Sequence, residues 1–231
     1  MKNIILVLVR HGESEWNKKS KFTGWEDVNL TKHGYLEAKY AGDNLKKAGF
    51  VFDYAYTSYL KRAIYTLWNI LIQMNQPWIH IEKSWKLNER HYGALQGLSK
   101  LDVIKQYGDQ QVQMWRRGFY AIPPKINICD SRYPGNDIRY SNIKNIKLPV
   151  AESLSMTFER VVSFWKDVIY PKVIMNNRII IVAHGNTLRM LIKYLSNINT
   201  DNIIDIEIPT GIPIIYEIYE NIKFNKYHFL Y

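Results

Sequence analysis

Apolar and polar positions come in blocks along this chain, and the blocks predict strands and helices in turn. Ile4 to Val9 is an unbroken apolar run, the pattern of a strand buried on both faces of a parallel sheet. After a polar loop, Thr31 is placed to cap a helix carrying Leu36, Tyr40 and Leu45 that ends near Gly49. Phe52 to Thr57 predicts a second strand. Ser58 is placed to cap the next helix, whose Leu60, Ala63, Ile64, Leu67, Leu71 and Met74 share a face. From about 110 to 150 the periodicity fades, and Pro123-Pro124, Pro134-Gly135 and Leu148-Pro149 interrupt the backbone, which predicts an irregular insertion. Beyond it, Leu154, Phe158, Val161, Val162, Trp165 and Ile169 align on a long helix. Ile179 to Ala183 predicts a strand, and Leu188, Leu191, Ile192 and Leu195 align on another helix. Strands alternating with helices predict an α/β fold, a three-layer sandwich with a mostly parallel sheet flanked by helices.

Composition narrows this picture. A chain of 231 residues with 47% hydrophobic content buries a sizeable core, and the simplest count is one domain over 1–231 with its insertion at 110–150. No internal repeat, low-complexity tract or Gly/Ser linker divides it. The single cysteine, Cys129, allows no internal disulfide and fits a reducing compartment. The basic start Met1-Lys2-Asn3 and the apolar run after it superficially resemble a signal peptide. The run ends in Arg10-His11-Gly12-Glu13 with no small-residue cleavage site, so a core strand is the better reading. No run approaches the roughly 18 apolar residues of a membrane span. A cytoplasmic protein without a membrane partner is expected.

The formal net charge of +10, from 31 Lys and Arg against 21 Asp and Glu, raises the question of an anionic partner. The abundance of Ile, Asn, Lys and Tyr, whose codons are AT-rich, accounts equally well for surplus surface lysines. The basic residues are scattered and form no recognisable nucleic-acid module, so no nucleic-acid partner is expected.

The chemistry concentrates where two predicted strands end alike, in Val9-Arg10-His11-Gly12 and in Ala183-His184-Gly185-Asn186. Open parallel sheets bind ligands beyond the carboxyl ends of their strands, so both histidines leave the sheet where a small molecule binds. The glycine after each histidine predicts close approach of backbone to ligand, and nearby helix N-termini favour an anion. Arg10 and Arg62 add guanidinium forks that match phosphate oxygens. No third histidine or carboxylate falls at a spacing that completes a metal-ligand set, so no metal is expected.

These residues lie in longer stretches that resemble the histidine phosphatase superfamily, and specifically its phosphoglycerate mutase branch. They are Leu8-Val9-Arg10-His11-Gly12-Glu13-Ser14-Glu15-Trp16-Asn17, Phe22-Thr23-Gly24-Trp25, Tyr56-Thr57-Ser58-Tyr59-Leu60-Lys61-Arg62-Ala63, Leu87-Asn88-Glu89-Arg90-His91-Tyr92-Gly93, Leu95-Gln96-Gly97-Leu98 and Trp115-Arg116-Arg117. Arg132-Tyr133-Pro134-Gly135-Asn136-Asp137, Ala183-His184-Gly185-Asn186 and Ile208-Pro209-Thr210-Gly211 extend the match in order over essentially the whole chain.

The resemblance implies that His11 is the nucleophile carrying the phosphoryl group, its other ring nitrogen held by a backbone carbonyl. His184, Arg10 and Arg62 then stabilise the transferred group, and Glu89 acts as general acid and base. It implies substrate contacts from Ser14, Asn17, Thr23, Gly24, Arg90, Tyr92, Lys100, Arg116, Arg117, Gly185 and Asn186. The implied reaction interconverts 3-phosphoglycerate and 2-phosphoglycerate through a 2,3-bisphosphoglycerate intermediate, in glycolysis and gluconeogenesis. 2,3-Bisphosphoglycerate is the implied priming cofactor, phosphoglycerates are the implied small-molecule partners, and a homodimer or homotetramer is the implied assembly. Relatives continue past the last strand into a tail covering the site, whereas this sequence stops at Tyr231. A higher ratio of phosphatase to mutase activity is expected from that. Two alternatives stand beside the mutase: a histidine phosphatase of broader range, and a non-catalytic basic binding protein on the same scaffold. Glu89-Arg90-His91-Tyr92 and Trp115-Arg116-Arg117 favour the mutase over the first, and intact His11, His184 and Glu89 argue against the second.

Overall fold

The computed structural model describes residues 4–143, 148–218, 224 and 226–231. Its six-stranded sheet comprises β1 (Ile4–Arg10), β2 (Tyr54–Thr57), β3 (His80–Lys83), β4 (Ile179–Ala183), β5 (Pro213–Ile218) and β6 (Tyr227–Phe229) in the order β3-β2-β4-β1-β5-β6. The first four strands pair in parallel, with Leu8 beside Ile181 and Thr57 beside Val182. β5 and β6 add an antiparallel edge. The helices are α1 (Glu15–Lys18), α2 (Lys32–Lys47), α3 (Lys61–Gln73), α4 (Lys100–Tyr107), α5 (Asp109–Arg117), α6 (Leu154–Phe164), α7 (Tyr170–Ile174) and α8 (Gly185–Leu195).

Successive strand side chains point to opposite faces, and here both faces are apolar because both are covered. Leu6, Leu8, Ile179 and Ile181 pack with α6 and α8 through Val161, Leu188 and Leu191. Val7, Val9, Ala55, Ile180 and Val182 pack with α2 and α3 through Ala41, Leu45, Leu67 and Ile70. The expected three-layer α/β sandwich with its mostly parallel sheet is what the chain forms, and β4 has the expected limits.

Local readings differ in four places. α2 begins after Thr31, whose side chain accepts the Gly34 N–H at 3.0 Å, yet Leu36 and Tyr40 are exposed. Gly34, Ala38, Ala41 and Gly42 are buried instead; a Cβ on Gly34 would meet the Glu13 backbone and one on Gly42 would meet Ile70 and Gln73 of α3, so α2 packs too closely there for larger side chains. Ser58 does not cap α3, which starts at Lys61 with Leu60 at the cap; its hydroxyl is 2.8 Å from His184 Nε2. The insertion opens with regular structure, α5, so irregular backbone begins only at Gly118; below it only short 3-10 turns at Pro134–Asn136 and Ile138–Tyr140 interrupt it. The long helix after the insertion passes through one π-helical stretch, Trp165–Ile169, before α7. Ile146 and the other residues of 144–147 lie outside the described part of the insertion.

Candidate active site

β1 and β4 are adjacent and parallel, so their ends deliver His11 and His184 side by side. The two rings are both buried, with centroids 5.0 Å apart and an edge-to-face tilt of 62°. His11 Nδ1 lies 2.7 Å from the Gly12 carbonyl. A carbonyl only accepts, so Nδ1 holds the proton and Nε2 presents its lone pair. Arg62 Nε donates to that nitrogen at 3.3 Å. Burial pushes both histidines well below the ordinary imidazole value, and the Arg62 and Arg10 guanidiniums push the same way. Both rings are therefore neutral near pH 7.

Arg62, in the first turn of α3, is fully buried and donates to the carbonyls of Glu26 and Gly24, each at 2.8 Å. Arg10 donates to the Ile208 carbonyl at 2.8 Å. Among the described residues, Arg10 Nε and His184 Nδ1 are buried polar atoms without a hydrogen-bond partner. Buried groups of that kind are costly to leave unmade, which marks this spot as one built for an acceptor.

The glycines beside the histidines work differently from their sequence reading. A Cβ on Gly12 would lie 2.2 Å from the Gly34 carbonyl oxygen, so Gly12 lets the first loop pack on α2. A Cβ on Gly185 would make only ordinary contact with the Arg10 guanidinium, at 3.5 Å from its Nε. Gly24 has φ +55°, a conformation that favours glycine, and a Cβ there would lie 2.1 Å from Gln96 Oε1.

Above this floor stands a cavity of about 240 Å³. Glu89 lines it from the segment between β3 and α4, and its Oε1 accepts the N–H groups of Arg90 at 2.8 Å and Asn186 at 3.2 Å. The N-terminus of α8 thus faces this carboxylate, a favourable pairing of anion with helix dipole. Asn17, Thr23, Gly24, Tyr92, Lys100, Arg116, Arg117, Gly185 and Asn186 line the same cavity. Lys100 arrives at the first position of α4, beside the 20–22 strip that its N–H joins at Ser20 O, 3.0 Å. Arg116 and Arg117 arrive on the last turn of α5.

Two expected substrate residues are turned elsewhere. Ser14 is fully buried and caps α1 in a reciprocal box with Asn17. Arg90 is also fully buried and is spent on the backbone, donating to Glu152 O at 2.8 Å and Ala121 O at 3.0 Å. His184 lies beneath the cavity rather than on its wall. Three lining residues were missed in the sequence: Lys21, Phe22 and Arg189. Helical spacing could have found Arg189, one turn beyond Asn186 on α8, to whose Oδ1 it donates at 2.7 Å.

The lining sets one carboxylate, Glu89, against the guanidinium or ammonium groups of Arg10, Lys21, Arg62, Lys100, Arg116, Arg117 and Arg189. Burial lowers the Lys100 ammonium, and the nearby charges of Arg116, Arg10 and Arg117 lower it further. Burial brings Arg189 to about 10, with Arg117 adding repulsion. Like charges crowded into a partly desolvated cavity repel one another, and a bound polyanion relieves that repulsion. Among the described residues no cluster of three His, Cys, Asp or Glu side chains could hold a metal ion. No helix among them is long and apolar enough to cross a membrane.

Several solved structures of similar fold carry phosphatase names. A provisionally assigned α-ribazole-5′-phosphate phosphatase of Escherichia coli K-12 superimposes with a TM-score of 0.72 at 21% identity, covering 98% of this chain and 95% of its own. YhfR of Bacillus stearothermophilus gives 0.71 at 21% identity, covering 97% and 94%. A mycobacterial glucosyl-3-phosphoglycerate phosphatase complexed with VO3 gives 0.71 at 18% identity, covering 97% and 96%. At these identities the likeness establishes the fold. Family membership rests on the sequence itself: residues 6–133 and 129–224 match the model of the histidine phosphatase superfamily, branch 1, and the chain belongs to that family.

Proposed function

We propose that this chain is a 2,3-bisphosphoglycerate-dependent phosphoglycerate mutase. The observation that carries the reading is the number of cations in one cavity: Arg10 and Arg62 stand at the His11 floor, and a second set, Lys100, Arg116 and Arg117, is brought in by α4 and α5. A substrate with one phosphate needs only the first set. A three-carbon acid bearing phosphate and carboxylate, turned over between two poses, uses both.

In this reading His11 Nε2 attacks phosphorus in line with the leaving oxygen while Gly12 O holds the Nδ1 proton. Arg62 must give up its contact with Nε2 and turn to the phosphoryl oxygens, joined by Arg10 and His184. Glu89 gives a proton to the departing oxygen and takes one from the hydroxyl that next receives the group. 2,3-Bisphosphoglycerate would be held by the same two cationic sets, which fit its two phosphates, and supplies the phosphoryl group that first charges His11.

A second reading, a histidine phosphatase of broader range, is favoured by the phosphatase names of the structural neighbours. It also gains from a cavity of about 1080 Å³ that adjoins the site and shares Arg10, Arg117 and Arg189 with it, roomy enough for a bulkier ester. The separating experiment follows 3-phosphoglycerate in a metal-free assay with and without catalytic 2,3-bisphosphoglycerate. Cofactor-dependent formation of 2-phosphoglycerate, absent in His11→Ala, supports the mutase. Release of inorganic phosphate alone transfers the reading to the phosphatase.

A further inference from the structure

The segment that bears Glu89 belongs to no strand or α-helix; between the 3-10 turns Trp85–Leu87 and Gly93–Leu95 its backbone has no ladder to hold it. It is held instead by two charged side chains from the other end of the chain. Arg160, on α6, is buried and forms an ion pair with Glu152 through Nε and Oε1 at 2.7 Å and through Nη2 and Oε2 at 2.9 Å. Its other donor contacts go to three carbonyls of the segment: Nη1 to Lys86 O at 2.7 Å and Asn88 O at 2.9 Å, and Nη2 to Glu89 O at 3.0 Å. Glu152 grips the far side, accepting the His91 N–H at 2.8 Å on Oε2 while its own N–H donates to His91 O at 2.8 Å. Trp25 Nε1 also donates to Glu89 O, and the Arg160 guanidinium lies over the Trp25 ring at 5.9 Å.

We propose that the buried Arg160–Glu152 pair is the positioning device for the acid–base carboxylate, fixing residues 86–91 by their backbone and so placing Glu89 relative to His11. The inference rests on the reading of Glu89 as general acid. Both residues lie outside the cavity lining, so they act through Glu89 and not on substrate. A planar fork alone reaches one carboxylate and three carbonyls at once; lysine, with a single ammonium, does not. A displacement of about 1 Å at a reacting group costs on the order of 100-fold in rate.

The test exploits leaving-group chemistry. A phosphoglycerate oxygen needs a proton to depart, whereas p-nitrophenolate leaves without one. Arg160→Lys and Glu152→Gln, each checked for wild-type-like circular dichroism, are compared with Glu89→Gln on 2,3-bisphosphoglycerate and on p-nitrophenyl phosphate, reading burst phosphorylation of His11. The expected result is that all three variants lose about 100-fold with bisphosphoglycerate, with KM changed less than about threefold, and stay within about threefold of wild type with p-nitrophenyl phosphate. Equal losses on both substrates in the Arg160 and Glu152 variants, beside a selective loss in Glu89→Gln, would overturn the positioning role and leave Glu89 as the acid. If Glu89→Gln itself shows no selectivity, the acid–base reading fails and the inference falls with it. Arg160→Lys unfolding leaves Glu152→Gln, close to isosteric and still an acceptor for His91, to decide.

Discussion

The floor and the wall of this site are built by opposite means. His11 and His184 stand at the ends of adjacent parallel strands, in which Leu6 to Val9 and Ile179 to Ala183 are fully buried on both faces. Glu89, Tyr92 and Arg117 stand on irregular or peripheral backbone, held by side chains that reach across the fold, such as Arg160 to Glu89 O and Asn186 Nδ2 to Tyr92 Oη at 3.1 Å. Strand ends place the backbone of these residues rigidly, so short contacts such as Gly12 O to His11 and the Ser58 hydroxyl to His184 suffice to orient the rings, which suits a nucleophile needing in-line geometry. Clamped loops give placement that depends on a few buried polar bonds, which suits groups that meet a substrate in more than one pose.

The comparison breaks most sharply at the nucleophile. His11→Ala is expected to lower turnover by at least about 10⁴-fold and to abolish acid-labile phosphate incorporation, while thermal stability barely moves. Retained phosphoenzyme would place the nucleophile elsewhere on the floor. On the wall, Glu89→Gln is expected to lower turnover of phosphoglycerates by about 10²- to 10³-fold with the phosphoenzyme still forming from activated donors; rapid-quench labelling distinguishes the two.

His91 sharpens the same contrast through stability. It sits next to Glu89's clamp, with Nδ1 accepting the Gly93 N–H at 3.0 Å, and burial pushes it down to about 4, opposed in part by Glu152. Its folded value is depressed, so the stability of this buried neutral ring is fully present above pH 6.5 and is lost as pH falls from there through about 4. The interval of about 2.5 units corresponds to on the order of 3 kcal/mol. His91→Gln is expected to flatten the urea-unfolding stability profile between pH 6.5 and 4 by about one proton's worth. A profile as steep as wild type's would assign the acid loss to the floor histidines, whose values burial also lowers.

The smallest effect is expected at the rim. Arg117→Met should raise KM for phosphoglycerates by about tenfold, leave turnover within about threefold, and weaken the salt dependence of kcat/KM. Isothermal titration with 2,3-bisphosphoglycerate at two salt concentrations checks it. A fall in turnover with KM unchanged would move Arg117 from binding into transition-state stabilisation.

How far the site was legible follows the same division. The floor was readable because apolar runs end in histidine, and strand ends need only local sequence to be located. Ser58 was read as a cap because serine precedes a helical face; in the fold its hydroxyl supports His184, a partner 126 positions away. Arg90 and Ser14 carry family-like motifs and yet turn into backbone contacts, since a motif fixes residue type and not the direction of a side chain. Arg160 and Glu152 left no local signal, because a single charge on an amphipathic helix, or in the loop before it, looks the same whether or not another segment folds over it.

By itself the sequence determined the alternation of strands and helices, the apolar character of both sheet faces, the pairing of two His-Gly strand ends and the cationic bias of the chain. Those depend on periodicity and on residue type, which neighbours in sequence decide. Only the tertiary structure decided that α5 and α4 deliver Arg116, Arg117 and Lys100 into the cavity that His11 lines, that Gly12 serves packing on Gly34, and that Glu89 hangs from a buried ion pair. Each of these is set by contacts between distant segments, whose energies local patterns do not contain.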